Sequence, residues 1–383
     1  MLSRLVLRDF RNFAQLDVAV PEGGLVIVGD NGQGKSNLLE AVAYLSLLRS
    51  SRGARDADCI RFGAGAFHVR AEATLPAFHH GIGIGYERPT RRKRATLDGV
   101  EQPRLANALG ALPSVGFSPA DVSLVAGGPA ERRRYLDVVL ALSSKNYFTA
   151  LQQFRAALVR RNAELKTAQR DHHRSLSKYE GRISVWEPAL ARNGAVITAQ
   201  RSQFAAAHAE RFTELSAAIG EHQTMTVRYV PSTDTTDSDK DSGVVESMEA
   251  SLLASLEAQR AQELRRGMTL TGPHRDDLQL LISGRELRTF GSAGQQRSAA
   301  IALRLMELST LREALGITPL LLLDDPFAEL DARRSQRVLS LLDHEHIGQV
   351  LLAVPREEDV PDAFTLLERR TMSNGMLSGA TAS

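Results

Sequence analysis

Apolar and polar positions change period several times along the chain, and each change marks an element. The stretch LSRLVLRDF at 2–10 alternates and then turns at RNF, which predicts a half-buried strand. GLVIVG at 24–29 is a short β-branched run between glycines. In the following KSNLLEAVAYLSLLR, Leu38, Val42 and Leu45 recur at helical spacing, so strand, glycine loop and helix are predicted in that order. Between 67 and 98, short segments such as FHVRAEATL and GIGIGYE are separated by turn residues. They predict an antiparallel hairpin layer with TRRKR at a hairpin tip.

From about 130 to 221 glycine and proline thin out. Heptad-like spacing runs through YFTALQQFRAALVRRNAELKTA and AVITAQRSQFAAAHAERFTELSAAI, predicting two long antiparallel helices of about 30 to 40 residues each. PSTDTTDSDKDSG at 231–243 is acidic and lacks an apolar anchor, so it reads as a mobile loop. Beyond LTGPHRDDLQLLI, GSAGQQRSAAIALRLMELSTLREALG predicts a helix opening at a glycine turn. TPLLLLDDPFAELD then predicts a buried strand ending in carboxylates, and GQVLLAV one further core strand.

Composition narrows the class. With 383 residues the chain suffices for two or three domains. The single Cys59 excludes a disulfide framework and a thiolate metal cluster. No charged and then apolar leader opens the sequence, and the four leucines at 320–323 fall far short of the roughly 18 residues a membrane span needs, so a cytoplasmic protein is expected. The formal charge is only +2, but the cations are clumped, as in RRKR at 91–94 and RRR at 132–134.

The strongest chemistry lies at 29–37, GDNGQGKSN, which satisfies G-x-x-x-x-G-K-[ST] between a predicted strand and a predicted helix. Such a loop curls so that backbone N–H groups of Gly29, Asp30, Asn31, Gly32, Gln33, Gly34 and Asn37 can surround phosphate oxygens at a helix start. Lys35 would neutralise the β and γ phosphates and Ser36 would ligate Mg²⁺. In LLLLDDP an apolar strand delivers Asp324, which would hold Mg²⁺ through water. Asp325 then stands where a general base or water-positioning group belongs. Lys35 and Asp325 are the candidate catalytic residues, and the two halves of the site lie about 290 residues apart.

A nucleotide-binding core split by a helical insertion resembles the SMC-like branch of the ATP-binding-cassette proteins. GSAGQQRS is similar to the cassette signature S-x-G-Q, here Ser292, Gly294 and Gln295, and 329–331, ELD, resembles the D-loop. The resemblance tightens to the RecF family of bacterial recombination mediators and covers nearly the whole chain. It is carried by LVLRDFRNF, GDNGQGKSNLLEAVAYLSLLRSSRGARD, VGFSPADVSLVAGGPAERRRYLD, VRRNAELK, LTGPHRDDL, GSAGQQR and LLLLDDPFAELD. Ala293, Ser298 and the acidic stretch depart from the family pattern. LLAVPREED departs instead from the transport cassettes, which carry a switch histidine after the last core strand; His344 and His346 precede that strand and are expected on the surface.

The resemblance implies an α/β fold: a P-loop ABC-type ATPase head of the SMC-like kind, with an antiparallel β layer and an inserted helical arm. The expected division is 1–118, 119–265 and 266–383. It implies ATP and Mg²⁺ as cofactors and an ATP-dependent homodimer in which Ser292, Gly294 and Gln295 reach the partner's nucleotide. Arg11 and Asn12 would approach the adenine and phosphates, and 116–121 would occupy the Q-loop region without its glutamine. Hydrolysis would be slow and stimulated by DNA. The implied partners are DNA, as duplex at gap junctions, with RecR and RecO, and RecA indirectly through its loading on single strands. Arg91, Arg92, Lys93 and Arg94, with 132–134, are candidates for a phosphate-tracking surface. A transport ATPase would need the missing switch histidine and Q-loop glutamine. A long-range tether would need a far longer coiled coil.

Overall fold

The computed structural model describes residues 1–74, 81–171, 177–233, 243–328, 330–345 and 347–378. Packing divides them into two compact units, one formed by Met1–Asp121, Ala218–Gly220 and Ile301–Ser383, the other by Val122–Ala217 and Glu221–Ala300.

The first unit holds two six-stranded sheets. One is antiparallel, in the order Phe13–Ala19, Leu2–Phe10, Ala66–Ala73, Gly81–Glu87, Arg92–Leu97, Val100–Glu101. The other runs Met376–Leu377, Glu368–Ser373, Gly24–Val28, Val350–Val354, Leu320–Asp324, Ser114–Phe117, and all neighbours except the terminal hairpin are parallel. The two core strands expected at the C-terminal side are present. Glu368–Ser373 adds a third, unforeseen because its charged residues mask the alternation.

Helix Lys35–Leu47 packs against strands of both sheets and is buried on nearly every side, which explains why its apolar positions are not confined to one stripe. Beside it Phe10, Tyr44 and Phe67 meet edge-on with centroids 5.3–6.0 Å apart, each pair adding about 1 kcal/mol beyond its buried area. At the opposite end of the sheet the buried Gln349 amide closes the first strand. Its Oε1 accepts from Leu2 N at 2.7 Å, and its Nε2 donates to the carbonyls of Leu2 and Pro21 at 2.7 Å each.

The second unit is built on three long helices rather than two: Lys145–Arg170, Glu187–Ala207 and Val244–Arg266, of 26, 21 and 23 residues, packed against one another. The expected pair was overlong because the apolar spacing continues across the break at His208, where helix Ala209–Ile219 starts afresh. A three-stranded sheet, Arg285–Glu286, Asp277–Ile282 and Met225–Val230, completes the unit. Most of the acidic stretch 231–243 lies outside the described residues. Ser232, at its start, donates from its backbone N to Asp276 Oδ1 at 2.7 Å.

The motifs of this unit that carry the resemblance meet in two buried polar networks. Arg161 of VRRNAELK is fully buried. It pairs with Glu187 at 2.8 Å and Glu263 at 2.7 Å and donates to Thr269 Oγ1 at 2.9 Å. Arg132 of RRRYLD makes two 2.8 Å bonds to Asp277, and Arg133 donates to the Asp276 carbonyl at 2.7 Å. Asp137 closes the same block, accepting from Tyr147 and Arg201, while Arg201 also donates to the Pro273 carbonyl. Arg132 and Arg133 are therefore scaffold residues, which removes them from the expected basic surface.

Two predictions concern this unit, and both can be read from Trp186, the only tryptophan in the chain. Arg161→Ala would strand two buried carboxylates and should destabilise the unit by about 3–5 kcal/mol in denaturant unfolding. Burial pushes the His274 imidazole down to about 4, and its Nδ1 has no hydrogen-bond partner among the described residues. The unfolded ring takes up a proton near pH 6.5 while the folded one stays neutral. This contribution is thus complete above pH 6.5, is lost by roughly 3 kcal/mol as pH falls toward 4, and is level below that. His274→Asn should flatten that acid limb; an unchanged limb would contradict the assignment.

Candidate nucleotide site

The phosphate loop leaves strand Gly24–Val28 and enters helix Lys35–Leu47. Gly34, at the helix start, has φ 118°, and a Cβ there would stand 2.5 Å from Asn12 Nδ2, so the turn admits only glycine. Over the loop opens a cleft of about 310 Å³ lined by Asn31, Gly32, Gly34, Lys35, Ser36, Asn37, Arg52, Pro119, Asp324, Asp325 and Pro355.

Lys35 is almost wholly buried, and its Nζ donates to the carbonyl of Gly29 and, at 2.9 Å, to that of Asp30. Burial holds the ammonium below its ordinary value of 10.5, while Asp324, Asp325 and Asp30 act in the opposite direction. Gly29 and Asp30 thus contribute carbonyls that hold the lysine rather than surface that lines the cleft. Ser36 Oγ donates to Asp324 Oδ1 at 2.8 Å, which joins the two halves of the chain at one point. A hydroxyl beside a carboxylate is an oxygen donor set suited to a hard divalent cation. Mg²⁺ held there would fill its remaining positions with water and substrate phosphates.

Asp325 follows at φ 48°, a left-handed conformation that Asp and Asn tolerate better than other side chains, and its N donates to the Ala353 carbonyl at 2.9 Å. The position after strand Val350–Val354 is Pro355, which has no titratable group, so the cleft has no switch histidine there. His344 is exposed and His346 lies outside the described residues.

Arg52 lines the cleft and was not singled out in the sequence. Arg52 donates to Asn37 Oδ1 at 3.1 Å and lies 3.7 Å from Asp324 Oδ2, bringing a half-exposed guanidinium beside that carboxylate. Its only sequence mark is a turn, SSRG, after the loop helix. Glu40, buried on that helix, accepts two bonds from Arg11 at 2.8 and 3.0 Å and one from Ser50 at 2.5 Å. Arg11 is consequently bound to the scaffold and does not line the cleft. Pro119 brings the 116–121 segment to the rim. Asp121 accepts from Ser118 N at 2.7 Å and from Arg304 at 2.6 Å, which fixes that segment.

Ser292 and Gln295 form a reciprocal cap at the start of helix Ala293–Leu315. Gln295 N donates to Ser292 Oγ at 3.2 Å, and Ser292 N donates to Gln295 Oε1 at 2.9 Å. The serine hydroxyl retains its own proton for an acceptor outside the helix. Glu329 lies outside the described residues, while Asp331 caps helix Ala332–His344 through Arg334 N at 2.9 Å.

The RRKR run is not a uniform tip. Arg91 occupies the turn at φ 52°, and the next three residues alternate along strand Arg92–Leu97. Lys93 therefore faces inward, 2.7 Å from Asp56 and donating to the Leu48 carbonyl at 2.8 Å. Arg92 and Arg94 point outward and share Glu101. Lys93 is removed from the expected DNA surface, and Arg92 and Arg94 are partly neutralised.

A family profile described as the RecF/RecN/SMC N terminal domain matches residues 1–378. The chain is 35% identical over 378 residues to the DNA replication and repair protein RecF of Streptomyces avermitilis, covering 98% of each. It is 34% identical over 401 residues to that of Chloroflexus aurantiacus, covering 97% of this chain and 98% of the relative. Among solved structures, the recombination mediator protein RecF–ATP of the RecFOR pathway superimposes with a TM-score of 0.85 at 30% identity, covering 98% of this chain and 96% of that one. An Smc head bound to the C-winged helix domain of ScpA, with TM-score 0.52, 15% identity and coverage of 98% and 95%, shares the fold alone.

The cleft geometry predicts that Lys35→Ala weakens binding of a nucleoside triphosphate by about 100-fold or more, since a buried charge-assisted contact is lost. Asp324→Asn should instead leave binding without added Mg²⁺ unchanged and remove its enhancement by Mg²⁺. Titration of a fluorescent triphosphate analogue with and without Mg²⁺ separates the two effects.

Proposed function

This chain belongs to the RecF family, and on that premise we propose that it is an ATP-gated, dimerising DNA-binding protein of DNA replication and recombinational repair. The observation that carries the reading is the Ser36–Asp324 contact, which assembles a metal-binding pair from residues 288 positions apart beneath a phosphate loop. Bound ATP with Mg²⁺ would supply an electrophilic γ-phosphoryl group, and the chain's own residues do the rest. Lys35 exchanges its two loop carbonyls for phosphate oxygens, which compensates the burial of its charge. Ser36 and Asp324 hold the cation. Asp325 orients the attacking water and accepts its proton, while Arg52 places a positive charge beside the same cleft.

The signature segment completes the site from a second copy. Ser292 keeps a hydroxyl proton to donate, and the positive end of the helix dipole favours an anion. In this reading ATP joins two copies, closure presents cations to duplex phosphates at a gap junction, and slow hydrolysis releases the dimer. Of the RRKR run, the outward Arg92 and Arg94 with Arg91 are the members left for that surface. RecR and RecO are the proposed partners, with RecA loading as the outcome. Among the described residues no helix is long and apolar enough to cross a membrane.

Sedimentation with ATP, ADP and no nucleotide tests the dimer. ATP alone should shift the boundary, and identical monomer boundaries in all three would sink the proposal. Ser292→Asp keeps a good helix cap but sets a carboxylate against the partner's γ phosphate. It should retain ATP binding within about twofold and lose dimerisation, by the charge repulsion expected of a desolvated contact. Asp325→Asn, which tolerates the same backbone, should bind ATP normally and prolong the dimer.

A further inference from the structure

The parallel sheet ends in a hairpin formed by Glu368–Ser373 and Met376–Leu377, whose turn residues Asn374 and Gly375 have φ 48° and 75°. The Asn-Gly pair is a common hairpin signal, and here the turn is also bonded to the phosphate loop. Asn374 N donates to Gln33 Oε1 at 2.6 Å, and Gly375 N donates to the Gln33 carbonyl at 2.9 Å. That carbonyl also accepts from Asn12 Nδ2 at 3.0 Å. Asn12 Oδ1 in turn accepts from Asn37 Nδ2 at 2.9 Å, and Asn37 Oδ1 from Arg52 at 3.1 Å. Gly375 is buried against Asn12. A Cβ there would lie 3.0 Å from the Asn12 carbonyl oxygen and 3.2 Å from Asn12 Nδ2.

We propose that this C-terminal turn positions the phosphate loop, with Gln33 as the residue through which it acts and Asn12 as the cross-brace. The inference rests on the nucleotide-binding reading of the cleft and extends it to residues that do not touch the nucleotide. Gln33 is in the loop but does not line the cleft, and its acceptors are spent on the turn. A loop whose N–H groups must converge on phosphate binds more tightly when its curl is fixed beforehand. Two backbone donors from the hairpin turn supply that fixation without placing a charge near the phosphates. Coupling is reciprocal: whatever the turn does for nucleotide binding, bound nucleotide does for the turn.

The test uses the full chain and four variants. Gln33→Ala removes the side-chain acceptor, and Gly375→Ala forces the turn against Asn12 from outside the loop. Each should raise the Kd for ATP and for ADP alike by about tenfold, equivalent to about 1.4 kcal/mol. In Gly375→Ala, which lies outside the loop, the rate of hydrolysis at saturating ATP should be unchanged. Asn374→Gly, which keeps the donating N–H and the left-handed conformation, should bind like wild type. Gln33→Glu keeps the acceptor and serves as the rescue variant in the second readout. There, hydrogen exchange of the 368–378 peptide should slow on addition of ADP in wild type and in Gln33→Glu, and should not respond in Gln33→Ala. Wild-type affinities in both Gln33→Ala and Gly375→Ala, or a nucleotide-dependent slowing that persists in Gln33→Ala, would overturn the proposal. Failure of the wild-type chain to bind ATP or ADP at all would instead overturn the nucleotide-binding reading itself.

Discussion

One hydrogen bond, 2.8 Å from Ser36 Oγ to Asp324 Oδ1, sets the requirements that the rest of the first unit meets. The strands that deliver these residues are not neighbours: Val350–Val354 lies between Gly24–Val28 and Leu320–Asp324. Two strand spacings amount to about 10 Å, more than a serine and an aspartate can span from their own strands. The glycine loop and the start of helix Lys35–Leu47 carry Ser36 back across that gap. The position is therefore held only if the loop, the helix and the central strand keep their register together. Burial of the helix between two sheets and the Glu40 bonds to Arg11 and Ser50 provide that rigidity.

The second unit solves a different problem. Its helices bury charged groups deeply, and those groups are acceptable only because each is matched by several partners, as Arg161 is by Glu187, Glu263 and Thr269. In the segments VRRNAELK, RRRYLD and LTGPHRDDL, which look in isolation like candidates for chemistry or nucleic-acid contact, Arg161, Arg132, Asp137 and Asp277 are consumed in this internal pairing. A basic run is available to a partner only after its internal acids have been counted.

Legibility in the sequence followed the physical origin of each feature. The phosphate loop, the Asp324 strand and the hairpin layer could be read because backbone requirements dictate their residue types at fixed spacing. The strand Glu368–Ser373 could not, since four of its six residues are exposed and its charges conceal the period. The third long helix, Val244–Arg266, buries only a few side chains and stands next to a polar stretch that draws attention away from it. Lys93 needed the strand's alternation to be known before its inward direction could be seen. Arg52 and Gln33 depend on partners that are close only in space, so no window of sequence contains their reason.

The central strand order also has a consequence for how the chain is made. Gly24–Val28 leaves the ribosome early, but its pairing neighbours are Val350–Val354 and Glu368–Ser373. At ordinary rates of synthesis the first of these arrives on the order of tens of seconds later. Throughout that interval a fully apolar strand has only the hairpin layer and its own helix for cover. Val122–Ala217 and Glu221–Ala300, whose long helices pair over shorter separations, can form meanwhile. Ribosome stalling or truncation before residue 350 would leave the N-terminal half with an unpaired sheet edge, and the interval makes that half a natural client for chaperones that bind exposed strands.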